Sequence, residues 1–481
     1  MNLKELSPKP LWSIFADLCS IPRPSKHEEK VVQYVVDFAK NHGLEYYKDP
    51  IGNVIIRKPA TPGKENAKPV ILQAHVDMVP QKNSATVHNF ETDPIQAYVD
   101  GEWVKAKGTT LGSDNGIGVA AAMAVLQAKD LVHGPLEVLL TIDEETGMTG
   151  AFNLEASALK GKTMINLDSE DEGELYIGCA GGLNTSARIP VKWETVSGNY
   201  KAYKLSLTGL KGGHSGLDIN LGRGNANKLM NRFLWKATRA MDVRLAVLEG
   251  GTLRNAIPRE SFAVVVVADS DAVKFEKEVV AFGDILKIEL GSVETDLLFK
   301  AEPAEMPKQA LEKKSQTNFL NCIYVVPNGA IRMIAEMPEV VETSTNLAIV
   351  KLKETEAELM CLLRSSVDSA KADLANAMTS VFELSGAAVK HDGDYPGWKP
   401  NVNSPILLTM QNVYQSKFGK KPEVKVIHAG LECGIIGDKY PGMDMVSFGP
   451  TIRHPHSPDE KVNIPTVEKF WNFLVETLKA F

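Results

Sequence analysis

Residues 136–147 read LEVLLTIDEETG, in which an apolar run from Leu136 to Ile142 ends in a cluster of acids. The run predicts a buried strand of the kind that forms the central sheet of an α/β fold. Glu144 and Glu145 stand where this strand should reach solvent. Paired carboxylates at a strand end indicate a site that binds metal ions.

Further segments place a candidate metal ligand at or near the end of an apolar run. They are VILQAHVD (70–77), GSDNG (112–116), MINLD (164–168) and GPTIRHPHS (449–457). Each one alone is more often a polar strand end or a turn than a ligand. Because the carboxyl ends of parallel strands meet at one edge of a sheet, the segments together predict a shared metal site at that edge.

Apolar spacing predicts two opening helices, over residues 11–18 and 26–40, the second with Ser25 as its N-cap. Strands and helices then alternate as far as residue 168, which predicts an α/β domain with a central mixed sheet. After that the pattern changes to alternating strands with amphipathic helices, which predicts an inserted α+β domain. His456 follows the insertion, so both ends of the chain should form one catalytic domain. The predicted domains are residues 1–183 with 392–481, and the inserted residues 184–391.

Composition excludes several classes of partner. The chain has 481 residues, 44% of them hydrophobic, and a formal net charge of −7. No apolar run approaches the roughly 20 residues of a spanning helix, and the basic residues form no stripe, so neither a membrane nor nucleic acid is expected as a partner. There is no signal-peptide core and no CxxC pair among the five cysteines. These features predict a cytoplasmic protein without disulfides or a thiolate zinc site.

Asp114 is the best candidate to bridge two metal ions. It lies between Gly112 and Gly116, and a turn flanked by glycines lets the backbone approach closely what the side chain binds. Two cations about 3.5–4 Å apart repel each other, and a carboxylate between them reduces the repulsion.

The remaining candidates complete a dinuclear centre. The five predicted ligands are His75, Asp114, Glu145, Asp168 and His456, with His454 as the alternative to His456. Three carboxylates and one hydroxide would neutralise two divalent ions, so both histidines can stay neutral. Asp77 can orient the ring of His75, which leaves Glu144 for proton transfer.

These motifs resemble the dinuclear zinc peptidase family that includes carboxypeptidase G2 and aminoacylase, and within it the bacterial Xaa-His dipeptidases. The resemblance extends over essentially the whole chain and is carried by AHVDMV, GSDNG, DEETG, NLDSE and PHSPDE, with LKGGHSG, GGTLRNAIPRE and HAGLECG. It implies two divalent metal ions, zinc first, with cobalt or manganese as alternatives. The implied roles are His75 and Asp168 on one metal, Glu145 and His456 on the other, Asp114 bridging, and Glu144 as general base. The resemblance also predicts a cis peptide bond between Asp114 and Asn115.

The resemblance implies that the inserted domain is a lid that closes over the substrate. In it, His214 would stabilise the developing oxyanion and Arg364 would hold the substrate carboxylate, a task that suits the planar guanidinium. Asn255 and Gly430 would lie near the substrate. His428, Glu432 and Cys433 of HAGLECG (428–434) have the residue types of a third metal cluster, but they are assigned no metal, since five ligands already fill the dinuclear site.

The implied activity is hydrolysis of dipeptides with free termini, including Xaa-His dipeptides, by a metal-bridging water that Glu144 activates. An N-acyl amino acid hydrolase or another short-peptide exopeptidase of the same fold would use the same ligands, so both remain alternatives. A binding protein without turnover is disfavoured by the intact Glu144, and a serine hydrolase by the lack of a GxSxG motif around Ser113. The oligomeric state is open, a homodimer included.

Overall fold

The computed structural model describes residues 2–481. The α-helices are α1 (Lys9–Cys19), α2 (Glu29–Asn41), α3 (Ser113–Gln127), α4 (Glu144–Gly147), α5 (Thr149–Asn153), α6 (Ala226–Ala240), α7 (Ala272–Leu290), α8 (Lys313–Val325), α9 (Asp368–Leu384), α10 (Pro405–Phe418), α11 (Glu432–Lys439) and α12 (Ile464–Ala480). The strands are β1 (Glu45–Lys48), β2 (Val54–Lys58), β3 (Val70–His75), β4 (Ala97–Asp100), β5 (Trp103–Ala106), β6 (Leu136–Thr141), β7 (Thr163–Asn166), β8 (Glu174–Cys179), β9 (Gly181–Pro190), β10 (Trp193–Thr195), β11 (Tyr200–Thr208), β12 (Gly213–His214), β13 (Val243–Gly250), β14 (Ala256–Ile257), β15 (Ser261–Ala268), β16 (Leu298–Pro303), β17 (Gln309–Leu311), β18 (Gly329–Ile334), β19 (Met337–Leu352), β20 (Glu356–Ser365), β21 (Ala388–Tyr395), β22 (Glu423–Ile427), β23 (Asp444–Ser447), β24 (Ile452–Arg453) and β25 (Lys461–Asn463).

The chain forms two compact units. The first consists of Met1–Gly178, Trp398–Val426 and Leu431–Phe481, so it draws on both ends of the sequence. Its main sheet has the strand order β1-β2-β6-β3-β7-β23-β8-β22. The strands from β6 to β23 in this order run parallel. The pairs β1–β2, β2–β6 and β23–β8 are antiparallel. The predicted mixed sheet in an α/β unit is confirmed.

The central strands are buried because they are apolar on both faces. Every residue of β3 and β6 is buried, and the small-residue helix α3 packs against β3. The parallel register sets His75 beside Thr141 and Gln73 beside Asn166. The carboxyl ends of β3, β6 and β7 therefore lie at one edge of the sheet.

The second helix begins later than predicted. It starts at Glu29 because Lys26 has φ 71°, a left-handed conformation that a continuous α-helix does not contain. Ser25 is not its N-cap; its hydroxyl donates instead to Asp77 Oδ2 at 2.8 Å. A residue expected to begin a helix thus contacts the predicted metal region.

The second unit consists of Cys179–Gly397 and Ile427–Gly430. Its main sheet has the order β16-β11-β15-β13-β19-β20-β9-β21, with β18 paired to β19, and these pairs are antiparallel. Helices α6 to α9 contribute to the apolar core of this unit. The predicted α+β character of the insertion is confirmed.

All five cysteine side chains are buried. Within residues 2–481, no helix is both long enough and apolar enough to cross a bilayer.

Candidate metal centre

The five predicted ligands come together in the first unit. His75 ends β3, Glu145 follows β6 in the short helix α4, and Asp168 lies just beyond β7. Asp114 lies in the first turn of α3, and His456 in the loop between β24 and β25. Elements distant in sequence therefore bring their polar ends to one place.

Asp114 lies between the two histidines. Its Oδ1 is 3.3 Å from His75 Nε2, and its Oδ2 is 3.2 Å from His456 Nε2. Asp168 Oδ1 also lies 3.3 Å from His75 Nε2, and Glu145 Oε2 lies 2.9 Å from His456 Nε2. Each histidine thus faces one oxygen of Asp114 and one further carboxylate, which is the arrangement of a bridged metal pair.

The acids of the cluster strongly perturb one another. Burial, followed by the charge of Asp114, raises the pKa of Glu145 to about 7, and burial raises the pKa of Asp168 to about 6. Hydrogen bonds to Asp114 and Glu145 raise the pKa of His456 to about 11. Burial opposes protonation of His75, but Asp168 and the neighbouring carboxylates outweigh it and raise the pKa well above its usual value. Burial opposes ionisation of Asp114 too, but hydrogen bonds from His456 and His75 outweigh it and lower its pKa. A bound cation would stabilise the ionised forms of Glu145 and Asp168 in the same way.

His456 is the histidine that reaches the acids. Its side chain is 53% exposed, whereas the side chains of Asp114 and Glu145, which it faces, are 12% and 4% exposed. In the described part of the chain His454 makes no ion pair, although both histidines have left-handed φ values, 55° for His454 and 57° for His456. The peptide bond between Asp114 and Asn115 is cis, as predicted.

Asp77 connects His75 to the turn that carries the paired glutamates. Its Oδ1 lies 3.2 Å from His75 Nδ1 and accepts the backbone N–H of Glu144 at 3.0 Å. Its Oδ2 accepts the N–H of Glu145 at 3.2 Å. Burial is the largest cause that raises the pKa of Glu144 well above its usual value, with Asp168 and Glu145 adding to it and His75 opposing.

Two buried residues that were not among the predicted site residues hold the loop of Asp114. The guanidinium of Arg23 donates to the carbonyls of Val76 and Asp77, both at 2.9 Å, and to the carbonyl of Gly112. The carboxylate of Glu460 accepts the backbone N–H groups of residues 111–114 and the hydroxyl of Ser113. Glu460 ends the PHSPDE motif, so its position in that motif was an available signal, whereas nothing in the pattern around Arg23 marks it.

The predicted lid residues form a separate cluster in the second unit. His214 Nε2 lies 3.3 Å from Arg364 Nη2, and the backbone N–H of Ser215 donates to the carbonyl of Asn255 at 2.8 Å. The guanidinium of Arg364 also donates to Tyr395 Oη at 3.2 Å. Gly430 ends the segment Ile427–Gly430 of this unit.

His428 belongs to the same cluster and was not predicted to act there. Its Nε2 lies 2.7 Å from Ser344 Oγ, and Ser344 is the cross-strand partner of Arg364. A Cβ on Gly216 would lie 1.9 Å from the carbonyl oxygen of His428, so only glycine fits this approach. Burial and the charge of Arg364 lower the pKa of His428 to about 3.

Arg364 carries a buried charge without an acidic partner. The residue is 5% exposed, and among residues 2–481 no carboxylate lies within ion-pair distance of it. Its guanidinium donates to Tyr395 and Ser215, which are neutral groups, and His214 Nε2 lies 3.3 Å from its Nη2. An unpaired buried cation is costly, so the arrangement favours an anionic ligand.

Known proteins resemble this chain over nearly its whole length. The sequence profile of peptidase family M20/M25/M40 matches residues 71–480. The cytosol non-specific dipeptidase of Escherichia coli (strain K12) is 51% identical over 479 residues, which is 99% of each chain. The crystal structure of aminoacylhistidine dipeptidase from Vibrio alginolyticus has a TM-score of 0.96 at 50% identity, over 100% of this chain and 98% of that one. An aminopeptidase from Bacillus cereus has a TM-score of 0.59 at 16% identity over 99% of each chain, and shares the fold.

Proposed function

Because the chain belongs to peptidase family M20/M25/M40, we propose that its ligand cluster serves the hydrolysis of dipeptides with free termini, Xaa-His dipeptides among them. The similar proteins from E. coli and V. alginolyticus are both dipeptidases. The observation that carries the proposal is Asp114, whose two carboxylate oxygens each face a different histidine.

The cluster fits two divalent cations. Ligand atoms of His75, Asp114 and Glu145 lie within 4.8 Å of one another, and the buried Glu145 Oε1 has no hydrogen-bond partner in the described residues. We assign His75 and Asp168 to one cation, Glu145 and His456 to the other, and Asp114 to both. Imidazole and carboxylate donors suit zinc, and cobalt or manganese accept the same set. Such ions, when bound, polarise the scissile carbonyl and acidify the attacking water.

Glu144 is the general base of this proposal. It takes a proton from the attacking water and passes it to the leaving amine. Its backbone bond to Asp77 Oδ1 fixes the turn from which its side chain projects. Burial, which raises its pKa, makes it a better proton acceptor than a carboxylate in water.

His214 is a neutral donor to the developing oxyanion. Its Nδ1 accepts the backbone N–H groups of Gly216 and Leu217 at 3.2 and 3.1 Å, so the proton of the neutral ring resides on Nε2. Burial and Arg364 lower the pKa of His214 to about 4, which keeps the ring neutral at physiological pH. The Nε2–H is then a donor for the developing oxyanion, while the neighbouring guanidinium of Arg364 is left for the substrate carboxylate.

Arg364 binds the substrate carboxylate. Its fork of donors matches a carboxylate in a bidentate manner, and the bound anion supplies the countercharge that the protein lacks. Asn255 and Gly430 are assigned to the substrate on the family resemblance.

We assign catalysis to residues 1–183 with 392–481, and substrate closure to a lid of residues 184–391. The two compact units support this division, with boundaries a few residues away and with Ile427–Gly430 in the second unit instead of the first. The name of the E. coli relative supports a cytosolic location.

The test compares substrates on the metal-loaded protein. We expect turnover of Xaa-His and other free dipeptides, with C-terminally amidated dipeptides hydrolysed poorly. Arg364→Ala should lower kcat/KM for free dipeptides by on the order of 100-fold or more, because a buried charge pair is worth roughly 2–5 kcal/mol, and should change amidated substrates little. Arg188→Ala, which alters an exposed arginine of the same sheet, is the control.

Two results would contradict the proposal. Preference for N-acetylated amino acids over dipeptides would favour the N-acyl amino acid hydrolase. An equal loss on free and amidated substrates in Arg364→Ala would show that this arginine supports the structure and does not recognise the carboxylate.

A further inference from the structure

Glu432 is a buried carboxylate that accepts hydrogen bonds from two side chains close to the proposed metal ligands. It begins α11 and is 0% exposed. Its Oε2 accepts two short hydrogen bonds, from Gln73 Nε2 and Thr141 Oγ1, both at 2.6 Å. Gln73 precedes His75 by two residues on β3, and Thr141 ends β6 just before the glutamate pair.

The bonds continue from Gln73 to the strand of the next ligand. Gln73 Oε1 accepts from Asn166 Nδ2, and Asn166 Oδ1 accepts the backbone N–H of Asp168 at 3.2 Å. Because side chains alternate along a strand, Gln73 and His75 share one face of β3. A connected set of hydrogen bonds thus joins Glu432 to the strand ends that present His75 and Asp168.

The direction of these bonds depends on Glu432 being a carboxylate. An ionised carboxylate only accepts, so the amide of Gln73 must turn its NH₂ toward Glu432 and its oxygen toward Asn166. Asn166 must then donate with its NH₂, which leaves its own oxygen for the N–H of Asp168. A glutamine at position 432 could donate as well as accept, and this order would no longer be enforced.

Stability alone does not explain a charge at this position. Glu432 Oε1 is buried and has no hydrogen-bond partner within residues 2–481. A buried carboxylate that is only partly paired costs several kcal/mol relative to a neutral group of the same shape. The fold would therefore be served at least as well by glutamine.

We infer that Glu432 is a positioning residue for the His75 and Asp168 half of the metal site, which rests on the function proposed above. It orients both ligands through Gln73 and Asn166 and does not itself bind metal or substrate.

The test is metal binding by the metal-free protein, titrated with zinc against a competing chelator. In Glu432→Gln we expect one of the two binding steps to weaken by about 10- to 100-fold, the usual effect of removing a group that orients a ligand. The weakened step should be the one that Asp168→Asn also weakens. Denaturant unfolding of metal-free Glu432→Gln should show a stability equal to or above that of the wild type.

The control is Glu137→Gln. Glu137, on β6, is also a buried carboxylate, but it accepts hydrogen bonds from Arg57 and from the backbone of residues 160 and 161, none of which is a ligand. Its substitution should leave both zinc affinities unchanged. Thr141→Val, which removes one of the two donors to Glu432, should weaken the same step as Glu432→Gln by a smaller factor.

The outcomes separate this inference from the proposed function. If the wild type takes up no divalent ions, both the inference and the proposed function are wrong. If the wild type binds two ions and Glu432→Gln binds them within twofold of it, only the inference falls. It falls also if Glu137→Gln weakens binding as much, or if Glu432→Gln loses metal-free stability while its zinc affinities stay unchanged. Should Glu432→Gln fail to fold, unchanged zinc affinities in Thr141→Val overturn the inference.

Discussion

Replacement of Glu460 by glutamine should loosen the loop that carries Asp114. Glu460 is 3% exposed, and each of its two carboxylate oxygens accepts hydrogen bonds from a different part of the loop. Oε2 accepts from the N–H groups of Leu111 and Gly112 at 2.8 and 2.9 Å. Oε1 accepts from the N–H and the hydroxyl of Ser113 at 2.7 and 2.6 Å, and more weakly from the N–H of Asp114 at 3.3 Å.

Glutamine keeps one acceptor oxygen and sets an NH₂ group against the remaining donors. Whichever way the amide turns, at least two bonds to a charged acceptor are lost. Each contributes about 1.5–3 kcal/mol, so we expect a loss of roughly 3–6 kcal/mol in the free energy of unfolding of the first unit. Native proteins are stable by only about 5–15 kcal/mol, so this loss is a large fraction of the total. Zinc affinity should fall as well, because Asp114 moves with the loop.

The assay is denaturant unfolding of the metal-free protein, followed by zinc titration of the folded fraction. Asp459→Asn, which alters the exposed neighbour of Glu460, is the control and should leave the unfolding midpoint unchanged. A decrease of less than about 1 kcal/mol in Glu460→Gln would refute the reasoning, since that is the contribution of a single ordinary hydrogen bond.

Two further predictions concern the general base and a buried histidine. Glu144→Gln should abolish turnover and leave metal content near normal, while Glu145→Gln should lower the occupancy of one metal. Metal analysis and kcat measure the two effects. The reverse result would mean that the assignments of base and ligand have been exchanged. Burial and Arg364 lower the pKa of His428 from 6.5 to about 3. Below about pH 6.5 the unfolded chain therefore binds a proton at this residue that the folded protein does not bind, and the free energy of unfolding falls as the pH falls. Between pH 7 and 4 the wild type should lose about 2–3 kcal/mol more than His428→Asn in denaturant unfolding; parallel pH profiles would contradict this.

The catalytic sheet could be predicted because its strands are local patterns. The apolar runs at 70–74 and 136–142 correspond to β3 and β6 within one or two residues. Their polar ends pointed to the ligands, because a charged residue that interrupts a buried run needs a reason to be there. The resemblance to a known family added residues such as Arg364, which no periodicity would have identified.

The start of α2 could not be predicted because a distant contact overrides a local preference. Ser25 followed by Glu28 has the form of a capping box. Yet the hydroxyl of Ser25 donates to Asp77, 52 positions along the chain, and Lys26 turns left-handed. A local sequence pattern contains no information about such a partner.

Arg23, Glu432 and Glu460 were missed for a related reason, and they explain how the ligand cluster persists. Burial raises the pKa values of Glu145 and Asp168, so keeping these ligands ionised is costly before metal binds. Glu460 and Arg23 hold mainly backbone groups of the loops, and Glu432 holds the side chains that precede the ligands. Because these contacts span up to 359 positions in sequence, no motif contains both partners. The ligands can therefore be recognised by residue type and spacing, whereas the groups that hold them in this costly buried arrangement become recognisable only when the chain is folded.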